Sequence, residues 1–171
     1  MDLKDKIRSI EDYPQKGVIF RDITTLLKDA EGLKVAVDAM TERLAGVSFD
    51  LVLSPESRGF IFGMPVAYNM GKGFVPVRKA GKLPAETISK EYELEYGTAT
   101  IEIHKDAIQP GQKVVIVDDL MATGGTAKAI MEMVEEMGAE VVASAFLIEL
   151  DFLDGRKALP GCKIESVIHY E

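Results

Sequence analysis

The run VVIVDDLMATGGTAKAI concentrates more chemistry than any other stretch of the 171-residue chain. A β-branched apolar stretch ends in two adjacent carboxylates, Asp118 and Asp119, and a short loop with Gly124 and Gly125 then enters helix-forming sequence. Glycines lack Cβ, so the backbone can curl and turn its N–H groups toward an anion. The helix N-terminus adds partial positive charge there. Thr123 and Thr126 supply hydroxyl donors. The expected ligand is a phosphate monoester. Carboxylates beside a phosphate would repel it, so Asp118 and Asp119 suit sugar hydroxyls or a hydrated Mg²⁺. The plainer alternative is that the acids cap a turn and the glycine pair closes a tight strand-to-helix connection. GxxxxGK[ST] is absent, which excludes a P-loop, and no GxGxxG follows a strand, which leaves a dinucleotide fold unsupported.

A second candidate lies at 57–85, which contains no Asp or Glu but holds Arg58, Lys72, Arg78, Lys79 and Lys82. The whole chain has 20 Lys plus Arg against 28 Asp plus Glu, a net charge of −8, so this is a local reversal of sign. Arg58 follows one strand-like run, and Arg78 and Lys79 follow another, so they could hold a highly charged anion such as pyrophosphate. A solvated basic surface is the alternative, and it is the preferred reading for Lys72.

These residues need a frame at whose strand ends they can meet. Residues 2–10 show helical spacing, and a loop follows through Pro14, Gly17 and GVIFRDIT. An amphipathic helix is predicted at 31–45, with Leu33, Val37, Met40 and Leu44 on one face and Gly46 as its stop. FDLVLS and GFVPVR read as short strands, with the helix SRGFIFGMPVAYNMG between them. Residues 79–97 lack a clear period and read as a long loop, and loops of that length are usually functional lids or disordered. TATIEIH alternates as a strand does. KVVIVDD has the continuous apolar character of a strand buried on both faces of a parallel sheet. A helix from about Thr126 to Met137, the strand EVVASAFLIEL and an edge strand CKIESVIHY complete the pattern. Strands alternating with helices predict an α/β fold with a mostly parallel central sheet flanked by helices. In such sheets ligands sit beyond the carboxyl ends of the strands.

The length predicts one domain over 1–171. The acidic balance argues against nucleic acid as a partner. A lone Cys162 leaves no internal disulfide framework, so a reducing cytoplasm is the expected location. One Cys and two His make a zinc site improbable. The start is mixed in charge, unlike a signal peptide, and no run approaches ~18 apolar residues, so no membrane span is expected.

VVIVDDLMATGGT resembles the 5-phosphoribosyl-1-pyrophosphate (PRPP) motif of type I phosphoribosyltransferases. GVIFRDIT, ESRGF, VRKAGKLPAETIS, LEYG and the closing HYE resemble the adenine phosphoribosyltransferases, in the same order and over nearly the whole chain. The resemblance implies a hood segment at 1–30 over a base site and a flexible lid loop at 79–97. It implies transfer of the phosphoribosyl group from PRPP to adenine, giving AMP and pyrophosphate. Mg²⁺ would be bound mainly through PRPP or pyrophosphate, and the chain would form a homodimer. Substrate-binding residues carried over are Asp118 and Asp119 for the ribose, with Leu120, and Ala122, Thr123, Gly124, Gly125 and Thr126 for the 5′-phosphate. Arg58, Arg78, Lys79 and Lys82 would serve the pyrophosphate. Phe20 would stack on adenine while backbone groups of Ile19 and Arg21 read its edge. Among the carboxylates Glu91, Glu93, Glu95 and Glu102, the resemblance selects Glu95 as the catalytic acid–base group, with Tyr96 helping to close the site and Glu102 second. Many relatives carry a basic residue where this chain has Ala80, which implies fewer lid contacts to pyrophosphate. A regulator of the same fold that binds nucleotides without catalysis, and an enzyme acting on another base, are the competing readings.

Overall fold

The computed structural model describes residues 1–94 and 97–171. In order these form β1 (Arg8–Glu11), β2 (Ile19–Asp22), α1 (Thr24–Leu27), α2 (Ala30–Leu44), β3 (Leu51–Pro55), α3 (Arg58–Met70), β4 (Gly73–Lys79), β5 (Thr87–Glu93), β6 (Thr98–His104), β7 (Lys113–Met121), α4 (Gly125–Glu136), β8 (Glu140–Leu150) and β9 (Lys163–Tyr170). Short 3-10 turns occupy Leu3–Lys6, Asp151–Leu153 and Gly155–Ala158.

The apolar run at 113–117 becomes the middle of a seven-stranded sheet ordered β5-β6-β4-β3-β7-β8-β9. β4, β3, β7, β8 and β9 are parallel to their neighbours in that series, whereas β6 pairs antiparallel with both β4 and β5. β3 leads through α3 to β4 on one side, and β7 leads through α4 to β8 on the other. The chain therefore reverses its winding between β3 and β7, which opens a crevice at their carboxyl ends.

Alternation along β7 feeds two apolar layers. Val115 and Val117 pack with α2 and α3 through Met40, Leu44, Phe62 and Val66. Val114 and Ile116 pack with α4 through Ile130, Met133 and Val134. Asp29 starts this order at α2, its Oδ2 accepting the Gly32 N–H at 3.1 Å. Gly71 ends α3 in the left-handed region at φ 65°, which suits glycine.

Two expectations fail. Residues 2–10 form a 3-10 turn and β1 rather than a helix, because β1 pairs with β2 in a separate antiparallel two-stranded sheet. The segment 79–97 is only partly loop, because Thr87–Glu93 is a strand on the sheet edge in register with β6. Its inward side chains are Ile88, Lys90 and Tyr92, and Lys90 faces α4 to pair with Glu132 and Glu136, each at 3.1 Å. An inward lysine hid the alternation.

Candidate functional site

β7 delivers Asp118 and Asp119 to the crevice, and α3 delivers Arg58 from across it. Arg58 Nε donates to Asp119 Oδ2 at 2.7 Å. Asp119 is only 7% exposed, so an unpaired charge there would be costly. Asp118 Oδ1 accepts the Asp119 N–H at 2.8 Å. Burial, then the neighbouring Asp119 carboxylate, pushes the Asp118 carboxyl well above the usual carboxylate range. The close approach depends on Gly59, since a Cβ at that position would stand 2.9 Å from Asp118 Oδ1. Asp119 is thus tied to the start of α3, while the hydrogen bond that Asp118 accepts is a local one from the next residue.

The chain leaves Asp119 through Leu120 and Met121 and bends at Ala122 and Thr123. Gly124 takes φ 84°, and α4 begins at Gly125, so the expected loop 122–126 includes the first helical turn. Gly124 provides no side-chain cap and the first turn holds no acid. Its N–H groups and partial positive charge suit an anion. The two glycines differ in what holds them. A Cβ on Gly124 would lie 2.5 Å from the Gly155 carbonyl oxygen, whereas one on Gly125 would meet nothing nearer than 3.7 Å. Thr126 Oγ1 is 3.0 Å from the Tyr92 hydroxyl of β5, so the edge hairpin touches the loop.

Sequence reasoning did not find what lies beneath this loop. A Cβ on Gly155 would stand 2.7 Å from the Ala122 carbonyl oxygen, so the turn Gly155–Ala158 packs directly under it. Arg156 fixes that turn by donating to Glu149 Oε2 and Oε1 at 2.8 and 2.9 Å. Ser166 donates to Glu149 Oε1 at 2.6 Å. Arg156, opposed by burial and helped by Ser166, holds the Glu149 carboxyl below its usual range. Glu149, Asp151 and His169 bring possible ligand atoms within 4.8 Å of one another. These donors already serve Arg156, Ser166 and each other, with His169 Nδ1 at 2.8 Å from Asp151 Oδ1. An acidic residue at the end of an otherwise apolar strand, ahead of a Gly-Arg turn, is the sequence signal, and it is a faint one.

At the ends of β3 and β4, Glu56 organises the basic group. Its Oε1 accepts Arg78 Nε at 3.2 Å and the Lys79 N–H at 2.7 Å. Burial would raise its carboxyl, but the Lys79 N–H and the Arg78 guanidinium outweigh that and hold it down. The acid-free segment thus has its acid one residue before it begins. Lys79 and Lys82 are exposed. Glu102, the second choice for acid–base work, is committed to the Gly81 N–H at 2.7 Å and the Thr87 hydroxyl at 3.0 Å. It anchors the 79–86 turn. Glu95 and Tyr96 lie outside the described residues.

The hood reaches the same crevice. Phe20 packs edge-on against Tyr13 at 5.2 Å, and the Arg58 guanidinium carbon lies 5.9 Å from the Phe20 ring centroid. The structure therefore gathers Phe20, Arg58, Asp118 and Asp119, with the glycine loop following in the chain. Ile19 is 48% exposed beside them. Such a place offers an aromatic face, two carboxyl groups able to accept hydrogen bonds from hydroxyls, and a helix start with free N–H groups.

Comparison with known proteins agrees with this chemistry. A family profile described as a phosphoribosyl transferase domain matches residues 24–160. An adenine phosphoribosyltransferase from Agathobacter rectalis is 60% identical over 169 residues, covering 99% of this chain and 97% of that protein. The crystal structure of adenine phosphoribosyltransferase from Thermoanaerobacter pseudethanolicus superposes with a TM-score of 0.96 at 56% identity, over 99% of this chain and 98% of the other. That from Saccharomyces cerevisiae, complexed with an imino-altritol bisphosphate and adenine, gives 0.90 at 40% identity, over 97% and 96%.

Proposed function

The chain belongs to the phosphoribosyltransferase family, and from that premise we propose that it transfers the 5-phosphoribosyl group of PRPP to adenine, releasing AMP and pyrophosphate in purine salvage. The observation that carries the reading is the convergence of Phe20, the Arg58–Asp119 pair and the uncapped start of α4 at one sheet end. Phe20 stacks on the base while the Ile19 and Arg21 backbone reads its edge. Asp118 and Asp119 hold the ribose hydroxyls. The loop 122–126 cradles the 5′-phosphate through main-chain N–H groups. Displacement at C1 of the ribose builds negative charge on the leaving pyrophosphate, and Arg58, Arg78, Lys79 and Lys82 stabilise it. Arg58 and Arg78 leave Asp119 and Glu56 in part to do so. The turn at 79–86 and the chain that follows β5 close over the site and exclude water, which would otherwise hydrolyse PRPP. Glu95 manages the proton on the imidazole edge of adenine, with Tyr96 closing beside it.

Mg²⁺ fits this site on the chemistry of its donors, because the rim offers hard carboxylate oxygens. Asp119 is already engaged by Arg58, which favours a metal carried by the pyrophosphate rather than by the chain. When bound there it neutralises leaving-group charge. A homodimer and a cytoplasmic location are part of the same proposal. Exposed Ile61, Met64 and Tyr68 on α3 supply an apolar face suited to a second copy. Among the described residues no helix is long and apolar enough to cross a membrane.

Incubation with PRPP, Mg²⁺ and each of adenine, hypoxanthine, xanthine and guanine, followed by nucleotide detection, tests the proposal. AMP from adenine alone is expected. No nucleotide from any base would favour a regulator, and a different nucleotide would move the base assignment. In the same assay Glu95→Gln is expected to lower kcat about 10²-fold, the scale of a general acid–base group.

A further inference from the structure

β2 sends Phe20 and Arg21 to opposite faces, as a strand must. Phe20 goes to the crevice, and Arg21 goes to the last residue of the last strand. The Arg21 guanidinium carbon stands 3.8 Å from the centroid of the Tyr170 ring, which is stacking distance. Lys4 Nζ, from the 3-10 turn before β1, stands 4.9 Å from the same centroid. Arg21 Nη1 donates to Ser9 Oγ at 2.5 Å on β1. Arg21 Nε is buried and has no hydrogen-bond partner among the described residues. A desolvated guanidinium edge without an acceptor is tolerable where an aromatic face supplies the compensating electrostatics. Tyr170 itself is fixed, because it pairs with Leu150 in the β8–β9 ladder.

This contact matters because β1 and β2 share no ladder with the seven-stranded sheet. Its link into α1 and its side-chain contacts therefore set the height of β2 above the crevice. We propose that Tyr170 is a positioning residue for the base site: its ring holds Arg21, and through the β2 backbone it sets the distance between Phe20 and Arg58. The proposal rests on the reading that Phe20 stacks on adenine. Tyr170 touches no substrate. It is separated from Phe20 by 150 positions, 170 minus 20, yet acts on it through one strand residue.

Steady-state kinetics on full-length Tyr170→Leu and Tyr170→Phe, varying adenine and PRPP separately, test this. Tyr170→Leu is expected to raise KM for adenine about tenfold, the scale of a desolvated cation–π contact, with kcat and KM for PRPP within about twofold. Tyr170→Phe keeps the ring face and is expected to match the native protein. If Tyr170→Leu folds poorly, Tyr170→Met fills a similar volume without an aromatic face and gives the same rise. Adding Tyr170→Leu to Phe20→Ala is expected to cost nothing more. Equal rises in both KM values with a lowered Tm would overturn the proposal, as would Tyr170→Phe behaving like Tyr170→Leu. If Phe20→Ala leaves KM for adenine unchanged, the base-site reading falls and this inference with it. If Phe20→Ala raises it and Tyr170→Leu does not, only the role of Tyr170 falls.

Discussion

The glycine loop after β7 and the two-stranded hood both bear on the Arg58–Asp119 pair, and they are held in opposite ways. Beneath the loop, backbone meets backbone: Gly124 lies against the Gly155 carbonyl and Gly155 against that of Ala122. Behind that contact stands Glu149, 5% exposed, with two bonds from Arg156 and one from Ser166. The two strands of the hood share only their own ladder, and what ties them to the rest is side chains, from Arg8, 59% exposed, to the buried Leu3 and Ile7 just before β1. N–H groups that bind an anion act best when fixed before it arrives. A cover that must admit and release a flat base is better drawn from the weakly attached part of a fold. The difference teaches that damage near the loop should cost stability and phosphate binding together, while damage in the hood should cost base binding with little loss of fold.

The sharpest test uses two adjacent glycines. Gly124→Ala forces a side chain into the left-handed region, at about 1–3 kcal/mol, and adds overlap with the Gly155 carbonyl oxygen. Thermal unfolding should show a large drop in Tm, and calorimetry should show PRPP binding lost. Gly125→Ala has room in the free protein, because its Cβ meets nothing nearer than 3.7 Å, so its stability should stay within about 0.5 kcal/mol of native while PRPP binding is weakened. Equal stability losses in the two variants would erase the distinction between a buttressed glycine and a ligand-facing one.

Glu149→Gln comes next in size. It removes the charge that Arg156 bonds, at about 1.5–3 kcal/mol. KM for PRPP should rise and KM for adenine should not. A rise confined to adenine would mean that the turn Gly155–Ala158 does not support the loop.

The smallest effect belongs to the hood. Thr24 hydrogen bonds first, then Arg8, lower the Asp22 carboxyl from 3.8 to about 2. Because the folded value is depressed, the stability it adds is complete above the ordinary aspartate range and is lost as pH falls toward about 2. Asp22→Asn should therefore cost about 1 kcal/mol at pH 7, the scale of a lost cap, and the gap from native should close between pH 3.8 and about 2. A gap that persists at pH 2 would assign the loss to packing instead.

How far this architecture could be read in advance depended on whether a residue's partners were local. KVVIVDD announced a doubly buried strand because burial on both faces leaves no polar position. The Asp118–Asp119 pair and the two glycines were legible because strand end, loop and helix start are contiguous. β5 was not, since Lys90 takes an inward place that only Glu132 and Glu136 of α4 make tolerable. Glu56, Glu149 and Arg156 were silent for the same reason: each acts through a partner set by sheet order or a distant turn. Glu102 looked available for chemistry on its own strand, yet Gly81 and Thr87 occupy both its oxygens. The split of Phe20 and Arg21 to opposite faces followed only once Ile19–Asp22 within GVIFRDIT was seen to be a strand.

Asp118 has one more consequence, which concerns heat rather than shape. A carboxyl that burial and a neighbouring carboxylate push well above its usual range keeps its proton into less acidic solution than an ordinary aspartate. Sugar hydroxyls donating to it, or a cation beside it, favour the ionised form, so a ligand that brings either expels that proton into the solvent. The measured enthalpy of association then contains the ionisation enthalpy of whatever buffer receives the proton. Titrations in PIPES and in Tris would disagree by the difference between the two buffers' ionisation enthalpies, scaled by the protons released, and the affinity itself would strengthen as pH rises through the free protein's Asp118 titration.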